Sequence, residues 1–153
     1  MKKLFLYIAG GIIILFVIAV LLDKAIVFPG KNFPRPTVKS EATKKGYSKM
    51  HTYITVEMIE CNLGETTSMG GNLTCHGRTA DSVIAAAVIA KDDVMNAYET
   101  DKQAVTSGGT NTSDSDAGYI RLSVSGENII IKTCHKKPCA TNANQRSETI
   151  AFQ

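Results

Sequence analysis

The sequence predicts an α+β head domain carried behind a single N-terminal transmembrane helix and a Pro-containing linker. Three observations predict it. An uncharged apolar run opens the chain, prolines and basic residues follow, and all four cysteines fall in the remainder, where strand-like and helix-like patterns alternate. The expected boundaries are 1–22 for a transmembrane signal-anchor, 23–49 for a basic linker and 50–153 for a disulfide-stapled head with one helix on an antiparallel sheet.

Met1-Lys2-Lys3 precedes nineteen residues, Leu4 to Leu22, without a charge. At about 1.5 Å per helical residue this run matches the ~30 Å hydrocarbon core. A cleaved signal peptide is the rival. Its apolar region would be shorter, and Asp23 or Val17 would occupy the −3 site of the available cleavages. Lys2 and Lys3 favour an inside N-terminus, whereas Lys24, Lys31, Arg35 and Lys39 follow the span closely and pull the other way. The cysteines break the tie. The expected location is the cytoplasmic (inner) membrane, single-pass, with the head extracytoplasmic.

Phe28-Pro29, Phe33-Pro34 and Arg35-Pro36 place three X-Pro steps in the linker. Proline removes a donor and drives its predecessor to extended geometry, so residues 23–49 are expected as an extended spacer. From Lys31 to Lys49 the net charge is +5, which suits either a solvated tether or contact with anionic membrane lipid through Phe28 and Phe33. Met50 to Asn128 carries −7 and the last 25 residues +3, so the overall +3 hides a polar arrangement. That balance is too small to point to nucleic acid.

In the head, Ile54, Val56 and Met58 alternate with Tyr53, Thr55 and Glu57, which reads as a half-buried strand over Met50–Glu60. On a strand, Glu57 and Glu60 would face opposite ways. A helix is expected from Thr79 to about Asp101, with Thr79 or Asp81 as the cap. Its apolar face is Val83, Ile84, Ala87, Val88, Ala90, Val94, Met95, Ala97 and Tyr98. Ile89 on its polar side and Lys91 within its apolar face break the pattern. With Lys44 and Lys45 of the basic stretch, they are the candidate interaction residues.

Ser107–Gly118 reads as a polar loop. It resembles a calcium loop in composition, but a glycine at the sixth position would put Ala117 at a ligand position. Tyr119–Val124 and Ile129–Cys134 read as a hairpin turning at Ser125-Gly126-Glu127-Asn128, and Glu148–Phe152 as a last edge strand. Leu, Ile, Val and Phe supply only nineteen of the 104 residues from Met50 onward, so the head calls for staples.

Cys61, Cys75, Cys134 and Cys139 can serve. Sequence proximity suggests Cys61–Cys75 and Cys134–Cys139, although four cysteines allow three pairings. Disulfides imply an oxidising compartment. The matched tripeptides Thr74-Cys75-His76 and Thr133-Cys134-His135 raise zinc as a rival, but the spacing is wrong for it. No metal or cofactor is expected. Asn72-Leu73-Thr74 and Asn111-Thr112-Ser113 fit the glycosylation pattern.

Walker, GxGxxG, HExxH and GxSxG motifs do not occur, so a non-enzymatic role is expected. The preferred reading is a membrane-anchored extracytoplasmic subunit or assembly factor of an envelope complex. Its partners would be membrane lipid and other membrane or envelope proteins, with no nucleic acid and with homo-oligomerisation as a further option. The outline of apolar N-terminal helix, α+β head and late cysteine pair is loosely similar to bacterial pilins and pseudopilins. That resemblance implies a filament subunit as the alternative. Gly11 is followed by Ile12-Ile13-Ile14-Leu15-Phe16, without the Glu that pilins carry in the span. A cytoplasm-facing binding module with reduced or metal-bound cysteines is the third reading.

Overall fold

A computed structural model describes residues 35–152, which lie in the second of two units divided between Phe33 and Pro34. The apolar run Leu4–Leu22 and the Pro29 and Pro34 steps lie outside the described residues.

The head begins earlier than the sequence reading places it. Helix α1 runs Pro36–Asn62, through the second half of the expected linker and the whole of the expected first strand. Pro36 sits at the first helical position, where its missing N–H costs nothing and its fixed φ suits the helix. The helix stops at Leu63-Gly64. Gly64 has φ +102, its N–H donates to Cys61 O, and Glu65 N–H donates to Glu60 O. This is a Schellman closure, and glycine enters the left-handed region without steric cost.

The Ile54/Val56/Met58 alternation has a helical cause. Residues two apart on a helix are separated by about 200°. Ile54 (0% exposed) and Met58 (4%) therefore point inward, while Val56 (46%) points out. Glu57 and Glu60, three apart, consequently share a side rather than facing opposite ways. Glu57 accepts a hydrogen bond from the Met69 backbone N–H.

A short antiparallel pair follows, β1 (Thr67–Ser68) with β2 (Leu73–Thr74). Helix α2 then runs Ala80–Ala90. Thr79 caps it, and Thr79 and Ser82 form a reciprocal capping box. The expected helix was twice as long. Beyond Ala90 the backbone finds other partners: Asn96 N–H donates to Lys102 O (2.8 Å) and Ala104 N–H to Val94 O (2.6 Å). The Asn96 carboxamide accepts from Tyr98 and Glu99 N–H and donates to Ala117 O. Such side-chain bonds to backbone compete with helix, and here they win. Asn96 is wholly buried. Gly118 (φ +88) lies so close that a Cβ there would come within 2.0 Å of Asn96 Oδ1.

The main sheet has four strands in the order β3 (Val105–Ser107), β4 (Ile120–Ser125), β5 (Asn128–Cys134), β6 (Gln145–Ala151). β3 runs parallel to β4 and the other pairs are antiparallel, so the sheet is mixed rather than purely antiparallel. The β4–β5 turn closes at Ser125↔Asn128 with Gly126 at φ 61, as a two-residue hairpin requires. Ile120, Leu122, Ile129, Ile131 and Ile150 line one face of this sheet. That face packs in a single core with Tyr47, Met50, Ile54 and Met58 of α1 and with Val83, Ile84, Ala86 and Ala87 of α2. The head is thus a small α+β domain with one main helix, a second short helix and two sheets.

Both suggested disulfides are present. Cys61–Cys75 ties the last turn of α1 to the residue after β2, and Cys134–Cys139 closes the end of β5 on the following loop.

Candidate docking surface

The chemistry that the sequence offers is dispersed by the fold. All four cysteines are in disulfides, which removes them as metal ligands. His76 is exposed, whereas His135 is buried. Among the described residues no group of three or more His, Cys, Asp or Glu is placed to hold a metal ion. The polar loop uses its own carboxylates. Asp116 accepts from Arg121 (2.9 Å) and from Ser113 N–H (3.0 Å), and Asp114 accepts from Cys139 N–H (2.7 Å). Both carboxylates of the loop are thus engaged within the head. Asn111 is 4% exposed, which hides its glycosylation pattern in the folded head, while Asn72 is exposed.

One surface does gather side chains. A groove of about 610 Å³ runs between the N-terminal half of α1 and the turn after α2. Met50 and Val105 form its apolar floor, and Ala42 and Gly46 leave it open. Lys45, Lys49 and Lys91 line it, with Asp93 as its one acid. Lys91 Nζ lies 3.8 Å from the centroid of the Tyr53 ring, a cation–π contact that holds the ammonium at the groove. Burial, with help from nearby Glu57 and Glu60, raises the Tyr53 phenol to about 12, so it stays protonated and can donate. A second, shallower groove of about 510 Å³ continues along the outer side of α1 past Thr52 to Val56.

The four candidate interaction residues separate. Lys45 and Lys91 meet at the groove. Lys44 turns aside to pair with Glu41 at 2.9 Å. Ile89 is 59% exposed and lines no part of the groove. Sequence reasoning missed Lys49, Tyr53 and Val56, because it put the first in a spacer and the others on a strand. The signal that could have found them is the pairing of Pro36 with Gly64 as helix start and stop.

What fold and surface define is a disulfide-stapled α+β head whose main helix, among the described residues, packs into the core with one face. Comparison of the chain with protein-family models, with curated proteins and with solved structures gives no match. Among the described residues no helix is long and apolar enough to cross a membrane.

Proposed function

We propose that the protein is a non-enzymatic, membrane-anchored extracytoplasmic subunit or assembly factor of an envelope complex. The apolar run Leu4–Leu22 holds it, and the head docks onto other envelope proteins. The observation that carries this reading is the pair of disulfides in the head. They call for an oxidising compartment, and a head on that side of a bilayer needs the chain ahead of it to cross.

Membranes bearing the full chain provide the test. The chain should stay in the pellet through a carbonate wash. Protease added from the extracytoplasmic side should digest the head, and mass measurement after thiol blocking should find no free sulfhydryl until reduction. Release by carbonate, or four free sulfhydryls facing the cytosol, overturns the proposal. The second result would favour the cytoplasm-facing binding module.

A pilin-like filament subunit keeps one feature in its favour. A 27-residue helix packs on a four-stranded sheet with a disulfide at the end of its third strand. Electron microscopy of sheared surface material separates the two, since only the filament reading expects fibres containing this chain.

A further inference from the structure

The side of α1 that faces away from the sheet carries aliphatic side chains that the core does not use. Val38, Ala42, Lys45, Lys49, Thr52, Val56, Ile59 and Leu63 are all exposed, and they recur at alternating intervals of four and three residues. The aliphatic members lie towards the two ends: Val38 is 56% exposed, Val56 46%, Ile59 49% and Leu63 81%. The two lysines at the centre open directly on the groove they share with Lys91 and Tyr53. A four–three repeat is the geometry by which one helix packs along another, with each seam residue entering a gap on its neighbour.

We propose that this seam is a docking site for an α-helix of a partner protein. That helix carries aliphatic residues towards its ends and acidic residues at its centre, and the acidic side chains enter the Lys45–Lys49–Lys91 groove. The inference rests on the docking role proposed above and names the class of partner.

Charge complementarity selects this occupant. Three ammonium groups meet one carboxylate at the groove, so the covering surface has to supply acid there. A second copy of this chain does not. Parallel copies would set Lys45 and Lys49 against their own counterparts. An in-register antiparallel pair, with Val38 opposite Leu63, would set Lys45 against Val56, Lys49 against Thr52 and Glu41 beside Glu60. A bilayer surface fits less well than a helix. A helix lying in lipid needs a broad apolar face, whereas this seam is narrow, bordered by Glu41, Ser48 and Glu60 and interrupted by lysines.

The test is site-specific photocross-linking of the full chain in its own membranes. Benzoylphenylalanine is placed singly at Val38, Thr52, Val56 and Ile59, and at Asp81 and Glu127 as positions away from the seam. The expected result is cross-linking from the four seam positions to one other polypeptide, at least tenfold above Asp81 and Glu127. The mapped partner segment should hold Asp or Glu between aliphatic residues at three- or four-residue intervals. Lys45→Glu with Lys49→Glu should cut the Val56 cross-link at least tenfold. Lys45→Arg with Lys49→Arg should preserve it, and both double variants should still form both disulfides. Cross-links to lipid or to a second copy overturn the inference, as do equal yields at all positions or yields indifferent to charge reversal. Cross-links from Asp81 or Glu127 alone overturn it and leave the docking role standing. Absence of cross-links from every position overturns both.

Discussion

The inner and outer faces of α1 are built from similar side chains in similar spacing, yet they have different fates. Inside, Tyr47, Met50, Ile54 and Met58 are at most 4% exposed and pack on the sheet, and the Tyr47 hydroxyl donates to Ile131 O at 3.4 Å. Outside, Val38, Val56 and Leu63 stay 46–81% exposed among the described residues, and Ile59, 49% exposed, borders a groove that it shares with Ile150 of β6. The difference teaches that hydrophobicity on this helix serves two purposes. One face holds the domain together, and the other is the face on which the proposed docking rests. Substitutions that separate the two faces are therefore the most informative.

The largest effect is expected from Ile54→Ala. It empties a fully buried site and should cost about 2–5 kcal/mol, whereas Val56→Ala on the opposite face should stay within about 0.5 kcal/mol. Denaturant unfolding of the full chain in detergent compares them. Equal losses would mean that the outer face is packed within the chain, and the comparison would fail.

Next comes the staple at the end of the inner face. Cys61, 7% exposed, bonds Cys75 across a sequence separation of 14, while Cys134 and Cys139 are only 5 apart. By loop-closure entropy, Cys61→Ser with Cys75→Ser should cost about 3 kcal/mol and the corresponding change at Cys134 and Cys139 about 2 kcal/mol. The first pair should also loosen the last turn of α1, seen as faster amide exchange at Ile59 to Asn62. Unchanged exchange there would show that the Gly64 closure suffices alone.

The same two faces explain what the sequence disclosed and what it concealed. Sheet register was legible in β4, where Ile120 and Leu122 alternate with Arg121 and Ser123, and the turn at Gly126 then set Ile129 and Ile131 on the same face, with Ile130 opposite. Thr79 announced the start of α2, and proximity in sequence suggested the cysteine pairs. Helix α1 was concealed because apolar residues occur on both of its sides, and opposite stripes cancel the one-sided signal by which an amphipathic helix is recognised. Prolines at 29, 34 and 36 then argued for extended chain, although the last of them is a helix starter. The end of α2 was hidden for a different reason. Its stop depends on Asn96 reaching Ala117, twenty-one residues away. The groove inherits both difficulties, since Lys49 and Tyr53 come from α1 and Lys91 from the end of α2.

Gly46, on the margin between the two faces, sharpens the comparison at smaller amplitude. It sits inside α1 with ordinary helical backbone, and a Cβ there would meet Ile120 Cδ1 at 3.4 Å, an acceptable contact. Gly46→Ala should therefore stabilise the head by about 0.5–1 kcal/mol through helix propensity. It should also narrow the groove. Raised stability together with weakened docking would separate the fold's interest from the partner's.

The smallest expected effect lies at the flank of α1 that faces β6. His135 is 6% exposed, and its backbone carbonyl accepts from the Tyr98 hydroxyl at 2.8 Å. Burial holds its imidazole below the ordinary histidine range. Lys44, Arg146 and Lys136 act in the same direction and only Glu41 opposes them. With its affinity for protons lower in the folded state than in the unfolded one, the unfolded chain binds more protons below about pH 6.5. The contribution of His135 is therefore fully present above that value and is lost as pH falls towards the depressed folded-state value. The unfolding midpoint should decline on acidification from pH 7 to 5, and His135→Gln should flatten that part of the decline. Glu41→Gln should steepen it, because it removes the one carboxylate that helps a protonated imidazole to persist beside α1. If His135→Gln leaves the pH profile unchanged, proton uptake at this flank plays no part in the acid sensitivity.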